Sequence, residues 1–309
     1  MRPTPMKRTP AGRPAPSRGF RLACLMPLLF SLLAAATPAH AIDVEAGDYT
    51  AAPAGTTLGL LYMQHAERED LYASGSKTPG NGKFRSDVGI LRFIHFMELG
   101  GYIVDPQILI PFGNLRGSGD FSSLGSNGGF ADPVLAATLW TINDPVNRRY
   151  LGITPFLYVP IGNYDRGEAL NMGENRWRYA LQLGYIQGIG DKFTVDLLGD
   201  VTFHGDNTDY GSAGATMKQD PTYQFQAFGR YHIRPDLDFR VGVARSWVGK
   251  VKVDGVETTG QAMVTKFSVG FGYQIVPRTQ LLFVYGRDID VTDGFKEKNR
   301  LNLRFGYAF

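Results

Sequence analysis

The C-terminal stretch Arg300-Leu-Asn-Leu-Arg-Phe-Gly-Tyr-Ala-Phe309 decides the fold class. Every second residue from Leu301 to Phe309 is leucine or aromatic, and the residues between them are polar or small. Successive side chains of a β-strand point to opposite faces of the sheet. This spacing therefore predicts one strand with an apolar face and a face of polar and small residues.

The same alternation recurs along the chain from about residue 56. Clear further examples begin at Trp177, Phe193, Tyr223 and Phe267. Twelve such segments can be counted, approximately 56–66, 84–97, 101–111, 131–142, 150–160, 177–188, 192–204, 221–233, 237–248, 262–275, 280–288 and 300–309. No segment carries a sustained apolar stripe at the helical period, so no transmembrane helix is expected.

The connections between these segments alternate in length. Long polar or glycine-rich connections follow the odd segments, at 67–83, 112–130, 161–176, 205–220, 249–261 and 289–299. Short connections follow the even segments, at 98–100, 143–149, 189–191, 234–236 and 276–279. This alternation is typical of an outer-membrane barrel with long extracellular loops and with short turns and both termini in the periplasm. The sequence therefore predicts an all-β fold, an antiparallel transmembrane β-barrel of about 12 strands over residues 56–309.

A soluble β-sandwich would also alternate apolar and polar positions. Tyr, Phe, Leu and Val on nearly every strand, opposite a polar and glycine-rich face, suit lipid outside and water inside instead. The strand count stays open between ten, twelve and fourteen, because Pro106, Pro111 and Pro155 lie inside proposed strands. Proline cannot donate to the ladder, and a closed barrel has no free edge, so local bulges are expected there.

Aromatic residues near the strand ends predict two girdles, one at each membrane interface. At the ends that meet long loops these residues are Trp177, Tyr179 and Tyr223. Near the short turns they are Tyr185, Tyr231, Tyr273, Tyr307 and Phe309.

Residues 1–41 have the pattern of a cleaved secretory signal peptide. A basic region that ends at Arg21 precedes an apolar run, and an A-x-A pattern places the cleavage after Ala41. The run is interrupted by Pro27 and is shorter than the ~20 residues of a spanning helix. The one cysteine, Cys24, lies in this segment, so the remaining residues can form no disulfide and no zinc-thiolate site.

The net charge divides between these two parts of the chain. The sequence has 32 Lys+Arg and 29 Asp+Glu, a formal charge of +3. Six of the basic residues and none of the acidic residues lie in residues 1–41, which leaves 26 basic against 29 acidic residues. An acidic remainder disfavours a nucleic-acid partner.

The polar strand face predicts the lining of the lumen. With the apolar face toward lipid, we expect these pore-lining residues: Arg178, Gln182, Asp196, Asp200, Gln224, Gln226, Arg230, Arg240, Lys266, Arg300 and Arg304. Strand direction puts Asp196, Arg230 and Arg240 in one cluster near the periplasmic end. The excess of cations predicts a mild preference for anionic or polarisable solutes. The same charges could instead pair with one another and brace a narrow, filled barrel, so both interpretations stay open.

Two segments could close the lumen. Residues 42–55 form a periplasmic N-terminal segment, too short for a large folded plug but long enough for a short hatch. The connection 112–130 is the first candidate for an inward-folding gate, because its glycines permit many conformations. Phe156, Tyr158 and Phe228 are further candidates to face inward, where they could guide an apolar solute.

Motifs for catalysis or metal binding are absent from the sequence. There is no H-E-x-x-H, G-x-S-x-G or phosphate-loop pattern. His204 could serve a barrel esterase beside a serine, although a lone histidine at a strand end is more often a plain polar residue. The run Asp206-Asn207-Thr208-Asp209 lacks the spacing and the terminal glutamate of an EF-hand loop. We therefore predict no catalytic residues, no metal and no cofactor.

Three segments carry a family resemblance. They are 128–140 (GGFADPVLAATLW), 158–165 (YVPIGNYD) continuing to 170–177 (LNMGENRW), and 200–210 (DVTFHGDNTDY). Together they resemble the meta-pathway phenol-degradation family of exported outer-membrane proteins, over about residues 57–309. Ile161 and Ala131 depart from that pattern, which tends to have Thr and Gly there. The resemblance implies an outer-membrane barrel linked with aromatic catabolism and regarded as a transporter. It implies no catalytic residues.

We expect a passive channel or transporter for small aromatic or hydrophobic molecules in the outer membrane of a Gram-negative bacterium, with no chemical step. Two alternatives stay open. One is an outer-membrane enzyme acting on lipid, which needs a serine near His204 on the lipid face; the other is a closed structural or adhesive barrel. The expected partners are outer-membrane lipid and lipopolysaccharide, the barrel assembly machinery through the strand that ends in Phe309, and a small-molecule solute. No nucleic acid is expected.

Overall fold

The computed structural model describes residues 44–309. The predicted signal peptide, residues 1–41, lies outside the described residues, and the predicted N-terminal segment is described from Val44 onward. Within the described range, no helix is long and apolar enough to cross a membrane.

Twelve long antiparallel strands form a closed barrel. They are β1 Thr57–Ala73, β2 Gly82–His95, β3 Tyr102–Gly119, β4 Val134–Asp144, β5 Arg149–Tyr158, β6 Arg178–Ile189, β7 Phe193–His204, β8 Thr222–Arg234, β9 Leu237–Val248, β10 Ala262–Val276, β11 Thr279–Val291 and β12 Gly294–Ala308. Each strand pairs with its neighbours in sequence, and β12 pairs with β1 from Leu58 opposite Ala308 to Tyr72 opposite Gly294. The predicted all-β barrel of twelve strands is confirmed.

The two faces of the strands follow the sequence pattern. On β12, Leu301, Leu303 and Phe305 are exposed on the outside, whereas Arg300 and Arg304 are buried inside. An apolar outer surface of this kind suits a hydrocarbon surrounding, and the polar residues are directed to the interior.

The barrel has two distinct ends. We call the end that holds Thr57 and Ala308 the short-turn end, and the opposite end the loop end. Four short strands extend from the loop end as a separate antiparallel sheet: Asn207–Tyr210, Ala215–Gln219, Val251–Val253 and Val256–Thr259.

Three of the connections predicted to be long are mostly strand. β1 continues through Ala73, β3 continues through Gly119, and β12 begins at Gly294. The connections shrink from 67–83, 112–130 and 289–299 to 74–81, 120–133 and 292–293. The alternation in the sequence stops where the outer face of a strand leaves the apolar band, but the backbone hydrogen-bond ladder continues beyond that height.

The bulges predicted at Pro106 and Pro155 are absent, whereas opposite Pro111 the partner segment holds one extra residue, because Phe112 pairs with Phe130 but Leu109 pairs with Val134. The pairing of β2 with β3 runs without a register shift through Pro111, and the pairing of β5 with β6 does so through Pro155. Pro111 lies opposite the gap between Phe130 and Val134, and Pro106 lies beyond the last residue of β3 that pairs with β2. Pro155 lies at a gap in the pairing of β4 with β5. Each proline thus faces an interruption in one ladder, where no donor is needed.

Residues 44–55 run inside the barrel before β1 begins. Val44, Ala46 and Tyr49 are buried among apolar side chains of the inner wall. We call residues 44–55 the hatch. Its burial makes the interior of the barrel at the short-turn end a packed core.

Candidate functional site

The eleven residues predicted to line a pore all lie on strands β6 to β12 with their side chains buried or half-buried. Nine of them are buried: Arg178, Gln182, Asp196, Asp200, Gln224, Gln226, Arg240, Arg300 and Arg304. Arg230 and Lys266 keep 11% and 14% of their side-chain surface exposed. They form several separate contact groups along the interior instead of one ring.

The predicted cluster near the short-turn end forms only in part. Arg230 Nη2 lies 3.0 Å from Asp196 Oδ1, as an ion pair between neighbouring strands. Arg240 pairs instead with Asp238, at 2.6 Å. The hatch connects the two pairs, because the Gly47 amide donates to Asp196 at 2.6 Å and Arg240 donates to the Ala46 carbonyl at 2.7 Å.

Asp48 is the main charged contact of the hatch. Its carboxylate is paired with Arg304 and lies 3.5 Å from Arg92 Nη1. Both arginines are nearly buried, with 8% and 11% of their side-chain surface exposed. Burial of a cation costs free energy unless a carboxylate faces it. Asp48 therefore neutralises the charge of these two arginines and also holds the hatch in place.

Tyr49 is the main apolar contact of the hatch. Its ring meets the Trp140 ring edge to face, with centroids 5.8 Å apart, and its hydroxyl lies 2.8 Å from Thr154 Oγ1 and 3.0 Å from Gln182 Oε1. A Cβ at Gly184 would lie only 2.2 Å from the Tyr49 ring. Glycine at that position therefore makes room for the hatch.

The hatch leaves little free space. A cavity of about 60 Å³ remains between Val44, Glu45 and the wall that carries Lys266, Arg300 and Asn302. One water needs roughly 10–15 Å³ on this measure, so the cavity holds a few waters at most. Next to Val44 and Glu45, the hatch and the wall therefore leave little room for a solute.

A buried charge cluster lies nearer the loop end. Glu297 is 2% exposed and is paired with Arg68 and with Arg300, whose Nη2 lies 2.8 Å from Glu297 Oε1. Lys266 Nζ lies 3.9 Å from Glu297 Oε2, and Asp288 accepts a hydrogen bond from the Glu297 amide. One carboxylate thus holds cations from β1, β10 and β12 together.

Apolar residues cover the loop end. Phe121 and Leu124, from the connection 120–133, pack with Phe84, Leu115 and Leu170 in one buried cluster. The connection named as a candidate gate therefore does fold inward, although residues 112–119 and 126–130 within that predicted range are strand.

Beside this cover lies a second group of charges. Glu174 bonds to Arg176 at 2.6 Å and to Arg178 at 2.8 Å. Burial by itself would raise the pKa of the Glu174 carboxyl, but the attraction of Arg178 and Arg176 outweighs burial and lowers it to about 2. Burial raises the pKa of the nearby Asp132 carboxyl, which accepts amide hydrogen bonds from Gly162 and Glu174.

The inner wall also carries aromatic side chains. Phe156 and Phe228 are buried, as the sequence suggested. Arg178 lies over the Tyr158 ring, 4.0 Å from its centroid. The interior therefore offers aromatic faces as well as charges.

His204 lies 3.1 Å from the Thr222 hydroxyl and points to the interior with Thr202 and Asp200. The enzyme alternative requires a serine beside His204 on the lipid face, and within residues 44–309 no serine is hydrogen-bonded to it. Asp206 and Asp209 pair with separate cations, Lys218 at 2.8 Å and Arg166 at 2.9 Å. The described part of the chain holds no group of three His, Cys, Asp or Glu that could bind a metal.

Four interior residues were not predicted from the sequence: Asp48, Tyr49, Arg92 and Glu297. One signal could have pointed to the hatch, because Gly152 and Gly184 face each other on the inner sides of β5 and β6. Two inward glycines on paired strands indicate that another part of the chain approaches closely.

Comparison with known proteins identifies a family and a similar solved structure. The family model described as "MetA-pathway of phenol degradation" matches residues 69–305. The crystal structure of an outer membrane channel from Pseudomonas putida F1 has a TM-score of 0.83 and 40% sequence identity to this chain. The match covers 86% of this chain and 100% of that chain.

A more distant structure supports the fold alone. The transport unit of the autotransporter AIDA-I from Escherichia coli has a TM-score of 0.50 and 10% identity. The match covers 91% of this chain and 97% of that chain. A search of curated protein sequences gives no match.

Proposed function

The chain belongs to the family described as the MetA-pathway of phenol degradation, and from this membership we propose that it is an outer-membrane channel. The solutes that we propose are small aromatic or hydrophobic molecules, which pass without a chemical step. The similar structure from Pseudomonas putida F1 is an outer membrane channel, which supports the proposal.

One observation carries the proposed class of solute. The part of the inner wall that the hatch covers is apolar and aromatic: Ile94, Phe96, Trp140, Tyr150, Ile186, Leu198 and Phe228. When the hatch leaves, this surface becomes accessible from the lumen. A largely apolar surface with a few polar groups is what small organic ligands bind in proteins.

The charged inner residues would set the ionic preference. The pore lining that we propose keeps the eleven residues from Arg178 to Arg304 and adds Arg92, which also faces the interior. Removal of Asp48 with the hatch would leave Arg92 and Arg304 facing water. An open lumen is therefore expected to prefer anions over cations.

We propose an orientation in the outer membrane in which the short-turn end faces the periplasm and the loop end faces the outside of the cell. Export would use residues 1–41 as a cleaved signal peptide. Insertion would use the barrel assembly machinery, which would recognise the last strand ending in Phe309. The surrounding partners would be outer-membrane lipid and lipopolysaccharide, whose contact with the barrel is taken up below.

Ion conductance and solute uptake test this function together. Purified protein is reconstituted in planar bilayers and in liposomes, with the wild type compared with a variant that lacks residues 44–52. We expect conductance and uptake of small phenolic compounds, both larger in the variant, with a reversal potential on the anion side. Folded preparations that pass neither ions nor phenolic compounds would contradict the proposal.

The packing of the hatch favours one second candidate, a closed structural barrel. In that case the hatch would be a permanent part of the core, as the packing of Tyr49 against Trp140 permits. The same experiment separates the two functions, because a structural barrel without its hatch should lose stability and gain no selectivity for solutes.

A further inference from the structure

The outer surface of four neighbouring strands changes from apolar to charged at one height near the loop end. Below this height, Met63 on β1, Leu91 on β2 and Leu301 on β12 are exposed. Directly above Met63 and its partner Gly89, His65 lies opposite Asp87. The next outward residues on these strands and on β3 are all polar or charged: Glu67, Glu69, Lys83, Arg85, Arg116 and Lys298.

Cations outnumber acids in this band. We call Lys83, Arg85, Arg116 and Lys298 the basic patch. Glu67 and Glu69 lie among them, and Asp87, on the same face of β2 as Arg85, is held by His65 at 2.6 Å. Lys83 Nζ lies 2.9 Å from Glu69, Arg85 Nε lies 2.9 Å from Glu67, and Lys298 Nζ lies 2.5 Å from Glu69. Three cations therefore share two carboxylates.

Arg116 is the fourth cation, and it lies directly opposite Arg85 in the pairing of β2 with β3. Within the described part of the chain, no carboxylate lies within ion-pairing distance of Arg116. Like charges that face each other across two strands are destabilising unless an anion lies between them. The register thus leaves a place for a negatively charged group beside Arg116 and Arg85.

The patch is local to one side of the barrel. On the opposite side, the outward residues at the loop end are Trp177, Tyr179, Phe203 and Tyr223. Aromatic residues of this kind fit any lipid interface. The basic side therefore has a more specific partner to recognise.

We propose that the basic patch binds the phosphate groups of a phosphorylated glycolipid in the surrounding leaflet, that is, the lipid portion of lipopolysaccharide. The planar guanidinium groups of Arg85 and Arg116 suit phosphate oxygens in two-pronged contacts. The exposed surface of Met63, Leu91 and Leu301 directly below would contact the acyl chains. A free phosphate would use only the upper half of this surface, whereas an acylated phosphate uses both halves.

The inference rests on the outer-membrane placement in the proposed function but not on conduction. The test uses the whole purified protein in detergent micelles and native mass spectrometry, with diphosphorylated lipid A as the probe. The variant Lys83→Gln/Arg85→Gln/Arg116→Gln is expected to weaken binding by at least about tenfold, since it removes three charge-assisted contacts to phosphate. Arg116→Gln alone breaks no ion pair and should weaken binding without loss of stability.

The matched control is Lys218→Gln/Lys250→Gln/Lys252→Gln, which removes the same charge from exposed positions of the small sheet and its approach. We expect unchanged binding in the control and weaker binding of a dephosphorylated lipid by the wild type. Equal affinity of the patch variant and the wild type would overturn the proposal, as would equal affinity for the dephosphorylated lipid. Competition by millimolar inorganic phosphate at the same affinity would identify a simple ion site instead. Conductance is measured separately and should be the same in the wild type and in all three variants, so failure of lipid binding is distinguishable from failure of the channel.

Discussion

Deletion of residues 44–52 is expected to convert a nearly closed barrel into an open pore, with single-channel conductance raised by about tenfold or more because hatch side chains otherwise fill a lumen of this size. Apart from its continuity with β1, the hatch is held to the wall by noncovalent contacts of Glu45, Ala46, Gly47, Asp48 and Tyr49. Its removal takes away no strand and no ladder hydrogen bond of the barrel. Planar-bilayer recording of the purified variant measures the change directly.

The deletion should also change ion selectivity. Without Asp48, Arg92 and Arg304 face the open lumen as uncompensated cations. The reversal potential in a salt gradient is therefore expected to shift toward anions. Thr50→Ala serves as the control, because Thr50 is exposed within the same segment. The conductance of this variant should match that of the wild type. A deletion variant that is folded and conducts no better than the wild type would show that the hatch does not close the lumen.

Glu297→Gln is expected to destabilise the barrel by about 3–5 kcal/mol, the usual cost of removing one partner from a buried ion pair. Glu297 is 2% exposed and faces Arg68, Arg300 and Lys266 on three different strands. The amide of glutamine keeps the size but leaves these cations without their shared counter-charge. Urea unfolding in lipid vesicles, followed by tryptophan fluorescence, gives the free energy of unfolding.

The control for this substitution is Glu257→Gln. Glu257 makes one exposed ion pair, with Lys250 at 3.2 Å, in the small sheet beyond the barrel. A pair of this kind contributes about 1 kcal/mol or less, so the unfolding midpoint should barely change. Similar losses in the two variants would mean that the Glu297 cluster is not a structural centre of the barrel.

Much of the fold could be predicted because period-two alternation fixes both the type of element and its faces. The segment 300–309 predicted a strand with Arg304 inside and Phe305 outside, and both residues lie as expected. The family resemblance and the strand count are confirmed for the same reason, since turn residues and strand spacing are local features. The inward position of Arg304 follows from the same alternation, whereas its role in a pore stays a prediction.

The contacts of the hatch could not be predicted, because they join distant parts of the chain. Asp48 reaches Arg92 across 44 residues and Arg304 across 256 residues. Residues 44–55 have no periodic pattern of their own, since they are shaped by the wall that surrounds them. The length of the segment before the first strand predicts a hatch but not its partners on the wall.

The Glu297 cluster could not be predicted for a different reason, because residues 289–299 have the sequence pattern of a loop. Arg68 pairs with Glu297, and Ala66 pairs with Arg300, so the ladder has an irregular register at this point. An extra residue in one strand breaks the alternation of the sequence while the strand itself continues. The resulting pattern resembles a polar loop, although its central residue is among the most buried in the barrel.

A reversible tether between hatch and wall tests most directly whether movement of the hatch opens the channel. A Cβ on Gly184 would lie 2.2 Å from Cγ of Tyr49, so cysteines at the two positions would have Cβ atoms within about 3.7 Å, close to disulfide geometry. Residues 42–309 contain no cysteine of their own. The variant Tyr49→Cys/Gly184→Cys is therefore recorded in planar bilayers before and after reduction, with mass spectrometry to verify the disulfide. We predict low conductance in the oxidised protein and higher conductance after reduction, because the reduced variant lacks the Tyr49 ring and hydroxyl contacts that help to hold the hatch. Equal conductance in both states, with the disulfide verified, would contradict the role of the hatch.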